Sequence, residues 1–266
     1  MPVLQIKGLT KFFGGLRAVH DFDITLEEGD LVGLIGPNGA GKTTVFNMIT
    51  GMLPPSQGEV WFQGKNITGM PPFRVNQLGI ARTFQNIRLF AATTGLNNVL
   101  TPMGPRIGYR LGHAALQTRA YLRGEEGARA YARELLRTMG LQGKEEELAR
   151  NLPYGMQRRL EIARALAGRP RLLLLDEPAA GMNPAEVAAM VDLIRFVREK
   201  FGLTVLLIEH QMGLVMNLCP HIVVMDFGEI IARGTPAEIQ HDEWVLEAYL
   251  GRRGLGQTRE ERGAVG

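Results

Sequence analysis

No stretch of this chain narrows its fold as much as Gly36-Pro37-Asn38-Gly39-Ala40-Gly41-Lys42-Thr43. It follows Leu31-Val32-Gly33-Leu34-Ile35, an apolar run short enough to be a fully buried strand. A helix is expected from the end of the loop to about Thr50. The pattern G-x-x-x-x-G-K-[ST] between a strand and a helix reads as a phosphate loop. Its glycines let the backbone wrap closely, so that successive N–H groups point inward at phosphate oxygens. The helix N-terminus adds its partial positive charge. Lys42 is expected to supply a point charge to the β- and γ-phosphates. The Thr43 hydroxyl, with Thr44 beside it, is placed to ligate Mg²⁺.

A second acid site should hold that magnesium, and Leu172-Leu173-Leu174-Leu175-Asp176-Glu177 offers one. Carboxylates at the end of a buried strand are costly without a partner, here a bound cation. Asp176 is expected to bind Mg²⁺ directly or through water. Alternation along the strand would turn Glu177 the other way, where it could polarise an attacking water.

The rest of the chain supports an α/β core. His20 to Leu26 alternates polar and apolar residues, the period of a half-buried antiparallel strand. Short strands are expected at Val60–Phe62, Ile80–Phe84, Leu172–Leu175 and Thr204–Ile208. A helix over Ala185–Lys200 joins the last two, and that order argues parallel pairing. A hairpin is expected over Ile222–Ala232, turning at Phe227-Gly228. Between Asn86 and Arg150 strand signals vanish. Ala128, Tyr131, Ala132, Leu135, Leu136 and Met139 there fall on one helical face. A further helix spans Gly155 to Ala167, ended by Gly168 and Pro170.

Composition excludes several classes. With 45% hydrophobic residues and 21% charged, the 266-residue chain can bury a real core and is not disordered throughout. The 33 glycines show no three-residue period, which excludes collagen. The net charge of +3 is spread rather than gathered with aromatics, so no nucleic-acid partner is expected. No apolar run approaches a membrane span, and no leader is read at the N-terminus. A lone cysteine agrees with a reducing compartment. A cytoplasmic location follows as the expectation.

With these motifs in order, the sequence resembles the ATP-binding subunits of ABC transporters over roughly residues 3 to 250. The resemblance implies a P-loop ATPase core, a mostly parallel sheet with helices and an antiparallel β subdomain, carrying an inserted α-helical subdomain. It implies that Phe13 stacks on adenine and that Gly36, Pro37, Asn38, Gly39, Ala40, Gly41, Lys42, Thr43 and Thr44 hold the phosphates. Gln85, after Ala81-Arg82-Thr83-Phe84, is the glutamine loop, serving the metal and the hydrolytic water. His210 is the switch histidine, 34 residues after Asp176 and so expected on the neighbouring parallel strand. The signature region is Pro153, Tyr154, Gly155 and Met156, ahead of Gln157 to Leu166, and it would contact ATP held by a partner subunit. Arg158 and Arg159 within it read equally as an ordinary exposed helix start. The usual Leu-Ser-Gly-Gly-Gln departs here to Pro153 and Met156, and Asn183 stands where many members carry Asp.

Within the family, residues 13–19, 81–86, 177–184, 208–210 and 247–251 most resemble subunits serving branched-chain amino-acid uptake. That likeness implies a second, different ATPase in an ATP sandwich, two membrane permeases, and indirectly a substrate-binding protein. The chain would then sit on the cytoplasmic face of the membrane. An ABC exporter, such as one extruding lipopolysaccharide, and a soluble non-transport ABC-type protein remain the alternatives. Residues 1–85 are expected to form the N-terminal core with the antiparallel subdomain. Residues 86–168 would be the helical subdomain with the signature helix, 169–250 the C-terminal core, and 251–266 a disordered tail.

Overall fold

Strands with no exposed residue set the frame of this molecule. The computed structural model describes residues 1–106 and 119–250, so the expected 251–266 tail lies outside the described residues. Strands β3 (Leu31–Ile35), β7 (Leu172–Asp176) and β8 (Thr204–Ile208) are buried at every position. Such runs fit only a sheet covered on both faces. With β6 (Ile80–Arg82), β9 (His221–Asp226) and β10 (Glu229–Gly234) they form one sheet in the order β10-β9-β3-β8-β7-β6. The pairs β6–β7, β7–β8, β8–β3 and β3–β9 are parallel, and only β10 runs antiparallel, closing the expected hairpin on β9. β6 stops two residues short of the expected Phe84, and Thr83 N donates to Leu174 O as the chain leaves the sheet.

A second, antiparallel sheet is built from β1 (Leu4–Phe13), β2 (Leu16–Leu26), β4 (Gln57–Phe62) and β5 (Lys65–Asn66), in the order β2-β1-β4-β5. The period-2 pattern of the parallel strands decides what lies on each side of them. Leu172, Leu174, Leu206 and Ile208 join Phe22, Val60 and Phe62 of the antiparallel sheet, and Phe46 of the Lys42–Ile49 helix, in one core. Leu173, Leu175, Val205 and Leu207 face the other way. Their core is continuous with Ala132, Leu135 and Leu136 of the Arg119–Thr138 helix, with Met139 just past its end, and with Leu160, Ile162 and Ala163 of the Tyr154–Ala167 helix. The helical segment therefore shares its apolar interior with one face of the sheet.

Helix boundaries follow their caps. The Pro184–Phe201 helix begins one residue before the expected start, with Pro184 at its first position and Asn183 in a capping box with Glu186. Asn183 thus serves as a cap whose side chain accepts from Glu186 N at 3.0 Å. Short helices at Pro72–Leu78, Met212–Leu218, Pro236–His241 and Glu243–Leu250 go beyond the expected elements. The third had a legible start in Thr235-Pro236-Ala237-Glu238, a second capping box. Among the described residues no helix is long and apolar enough to cross a membrane.

Two outcomes test this packing. Leu135 is fully buried in the core that the helical segment shares with the sheet. Leu135→Ala should lower the unfolding free energy by about 2–5 kcal/mol, read as an earlier urea midpoint. Cys219 lies beneath β3, its Sγ 3.2 Å from where a Cβ on Gly33 would sit. Burial, and secondarily the negative charge of Glu209, pushes its thiol up to about 12. A thiol reagent at pH 8 should leave the native chain unmodified over minutes and label the urea-unfolded chain at once.

Candidate functional site

The phosphate loop bridges β3 and the Lys42–Ile49 helix as its sequence requires. Gly36, Gly39 and Gly41 hold φ of 148°, 84° and 100°, conformations that L side chains rarely adopt. A Cβ on Gly36 would come within 2.0 Å of Met225 O, and one on Gly41 within 2.6 Å of Ala18 O. The loop is therefore moulded against β9 and β2. Lys42 Nζ turns into it, donating to Gly36 O at 2.7 Å and Pro37 O at 2.8 Å. Burial draws the lysine's pKa below its ordinary value, while the charges of Glu177 and Asp176 act in the opposite direction. Asn38, Gly39 and Thr43 are exposed, and Pro37, Gly41 and Thr44 are half-buried. A cradle of glycines, an inward lysine and a helix N-terminus fits a nucleotide's phosphates.

Ala18 and Val19, which touch the loop, belong to β2 just beyond the turn from Phe13 to Leu16. Phe13 is 48% exposed there, with Lys11 Nζ 5.5 Å from its ring centroid. An open aromatic face on the hairpin beside the phosphate loop suits a purine base.

Asp176 behaves differently from expectation. Its Oδ2 accepts from Arg82 Nη2 at 2.7 Å, with both side chains almost fully buried. Arg82 in turn donates to Asn47 Oδ1 at 2.7 Å and lies between the rings of Phe46 and Phe84. The compensation expected from a cation is thus already supplied by an arginine on β6. Arg82 was legible only as a strand residue, because its pairing depends on β6 and β7 being neighbours. Among the described residues no group of three or more His, Cys, Asp and Glu gathers for a metal. A magnesium ion carried on substrate phosphates needs only one or two protein oxygens, which Thr43 and Asp176 can give.

Glu177 leaves the strand. β7 ends at Asp176, and Glu177 adopts a left-handed backbone at φ 48°, its N–H donating to Ile208 O at 2.9 Å. Its direction is therefore set by this turn, since strand alternation stops at Asp176. The turn aims Oε2 at two residues from elsewhere in the chain. Gln85 Nε2 donates to it at 2.9 Å, and His210 Nδ1 stands 3.6 Å away. The carboxylate is 15% exposed and the imidazole 49%. Gln85, Glu177 and His210 are thus brought together after β6, β7 and β8.

Glu209, beside His210, went unassigned in the sequence reading. It is fully buried, and its carboxylate accepts from the N–H groups of Ala179, His210 and Gln211. Burial raises its pKa, partly opposed by those three N–H groups. Glu209 fastens the segment after Glu177 to the segment after β8. Its sequence signal was a carboxylate between Ile208 and His210, with no spacing to say where it points.

The signature region sits apart from the phosphate loop of its own chain. Pro153 caps the Tyr154–Ala167 helix at φ −52° and ψ 150°, with no side-chain bond, as its fixed φ allows. Gly155 lies against Glu186, and Met156 packs on the helical core. Tyr154 donates to Ala180 O at 3.0 Å. The arginine pair divides, because Arg158 is 2% exposed and is no surface residue.

Comparison with known proteins agrees with this geometry. Residues 19–180 match the family model described as ABC transporter, and residues 229–254 match that of the branched-chain amino acid ATP-binding cassette transporter. The chain is 44% identical to the high-affinity branched-chain amino acid transport ATP-binding protein BraF of Pseudomonas aeruginosa, covering 94% of this chain and 98% of that one. It is 35% identical to the lipopolysaccharide export system ATP-binding protein LptB of Escherichia coli, over 94% of this chain and 98% of that one. Among solved structures, the ADP conformation of an ATP-binding cassette of an ABC transporter superposes with a TM-score of 0.82 at 32% identity, covering 95% of this chain and all of that one. A phosphate loop, a strand-end carboxylate pair and a family match over most of its length make this chain a member of the ABC transporter ATP-binding family, an α/β P-loop ATPase.

Proposed function

We propose that this chain is the ATP-hydrolysing subunit of an importer and energises uptake of branched-chain amino acids through membrane permeases. The observation that carries the ATPase chemistry is the meeting of Gln85 and His210 on the Glu177 carboxylate, next to a glycine loop holding Lys42. The substrate class rests on the likeness to BraF and on the match of residues 229–254. The exporter reading stands behind it, since the lipopolysaccharide relative is less similar. The non-transport reading stands behind both, since the relatives named above carry transport or export names.

In this reading Phe13 stacks on the adenine, and residues Gly36 to Thr44 bind the phosphates. Lys42 places its charge where the β- and γ-phosphates come to lie. Thr43, Asp176 and Gln85 would hold a magnesium ion, which would supply charge neutralisation at the phosphate oxygens. Asp176 acts there through its carboxylate while its Oδ2 is held by Arg82. Glu177 is the general base, accepting a proton from the attacking water on Oε2. Gln85 orients that carboxylate by donating from Nε2, and His210 orients the water or the γ-phosphate by hydrogen bonding. The exposed turn from Pro153 to Met156 reaches toward ATP held by a second, different ATPase subunit. Its first N–H groups point out of the helix, so backbone donors replace the hydroxyl that a serine at 153 would bring. The chain is peripheral to the membrane, two permeases being its anchor and a substrate-binding protein delivering their cargo.

Glu177→Gln should bind ATP with near-native affinity and hydrolyse it roughly 10²–10⁴-fold more slowly, the contribution typical of a general base. Steady-state phosphate release beside a nucleotide-binding titration reads both quantities. Wild-type turnover by the variant would remove Glu177 from that role. In cells lacking this chain, uptake of radiolabelled leucine, isoleucine and valine should fall and be restored by the wild-type gene but not by Glu177→Gln. Unchanged uptake would reject the proposed cargo while leaving the ATPase assignment standing.

A further inference from the structure

The Arg158 guanidinium is buried at the foot of the Tyr154–Ala167 helix, and its bonds lead to both loops that flank Glu177. It donates to Phe84 O at 2.7 Å and, from Nη2, to Gln85 O. It also donates to the Tyr154 hydroxyl at 2.9 Å and faces Glu161 Oε2 at 3.4 Å. Glu161 Oε1 accepts from Arg88 N at 3.2 Å, and Arg164 donates to Arg88 O. Arg158, Glu161 and Arg164 of this helix therefore hold the backbone on each side of Gln85, the residue whose amide donates to Glu177. The Tyr154 hydroxyl, having accepted from Arg158, donates to Ala180 O, three residues beyond Glu177.

Such an arrangement is expensive to build unless every group in it is answered. Burial raises the pKa of Glu161 and lowers that of Arg164, against the ion pairing that holds both charged. The planar fork of an arginine can serve two carbonyls, a hydroxyl and a carboxylate at once, which a lysine ammonium cannot match in geometry. The sheet core does not need these bonds, because the helix is already packed through Leu160, Ile162 and Ala163.

We infer that Tyr154 and Arg158 are positioning residues that transmit the placement of the signature helix to the Glu177 carboxylate of the same chain. One arm runs through the backbone of Gln85 and the other through Ala180. A displacement of the exposed Pro153–Met156 turn by a partner subunit would thus move both loops that hold the base. This inference rests on the ATPase reading of the site.

The test uses the full-length chain, with Tyr154→Phe deleting one hydroxyl and Arg158→Lys keeping the charge but losing the fork. Each should lower kcat for ATP hydrolysis roughly three- to tenfold, the scale of one or two net hydrogen bonds, with KM for ATP changed less than about twofold. Hydrogen exchange of the amides at 85–88 should accelerate in both, while the Lys42–Ile49 helix keeps its protection. In a Gln85→Ala background the kcat effect of Arg158→Lys should largely disappear, since the two act on one path. Full additivity of those two substitutions, a rise in KM alone, or unchanged exchange at 85–88 would overturn the inference. If Arg158→Lys does not fold, Tyr154→Phe carries the same kcat, KM and exchange readings. A wild-type chain that hydrolyses no ATP, or a Gln85→Ala variant with wild-type turnover, would instead refute the site reading beneath it.

Discussion

Charge placed at the carboxyl ends of the buried strands β3, β7 and β8 must be compensated on the spot, because neither face of those strands meets water. This constraint organises the molecule. Lys42 is answered by two carbonyls of its own loop, Asp176 by Arg82, and Glu209 by three backbone N–H groups. Each answer comes from a different strand or loop, so the pairing of β3, β6, β7 and β8 and the chemistry at their ends form one requirement. Glu177 is the exception in degree, being partly exposed and bonded through a single amide. A carboxylate held this lightly can still turn toward water, which a residue locked like Asp176 cannot.

The two faces of the sheet divide the labour. One face carries the antiparallel sheet and the helix behind the phosphate loop, so the groups that hold nucleotide share a core. The other face carries the helical segment and the signature helix. Alternate residues of the same strands serve both cores, so the two sides meet along β7 and β8. The bonds of Arg158 and Tyr154 reach the loops beside Glu177 without passing through that apolar packing.

The departures from the family pattern fall where the chain leaves its own core. Pro153 and Met156 lie at the start of a helix where Pro153 and Tyr154 are exposed, and Asn183 caps a helix as well as aspartate would. None of the three changes the compensation of charge at the sheet edge. In the proposed reading they bear on how a second subunit is met, while the fold and the contacts around Glu177 are left intact.

Local physics made much of this legible in the sequence. A glycine loop before Lys42-Thr43, a strand of four leucines ending in two acids, and the one-faced helix through Leu135 are each fixed by rules that act within about ten residues. From them came the phosphate loop, the parallel pairing of β7 and β8, and the candidate Glu177, while Gln85 and His210 came from the family resemblance. What the sequence left open were the interactions between residues far apart in the chain. That Asp176 is neutralised by Arg82, 94 positions away, depends on β6 lying beside β7. That Arg158 is buried among the carbonyls of residues 84 and 85, and not exposed at a helix start, depends on the helical segment folding back over the sheet. The left-handed turn at Glu177 was not legible for a related reason, since it is stabilised by Ile208 O on the next strand. Periodicity fixes which side a residue faces only while the strand continues, and beyond its end tertiary hydrogen bonds decide.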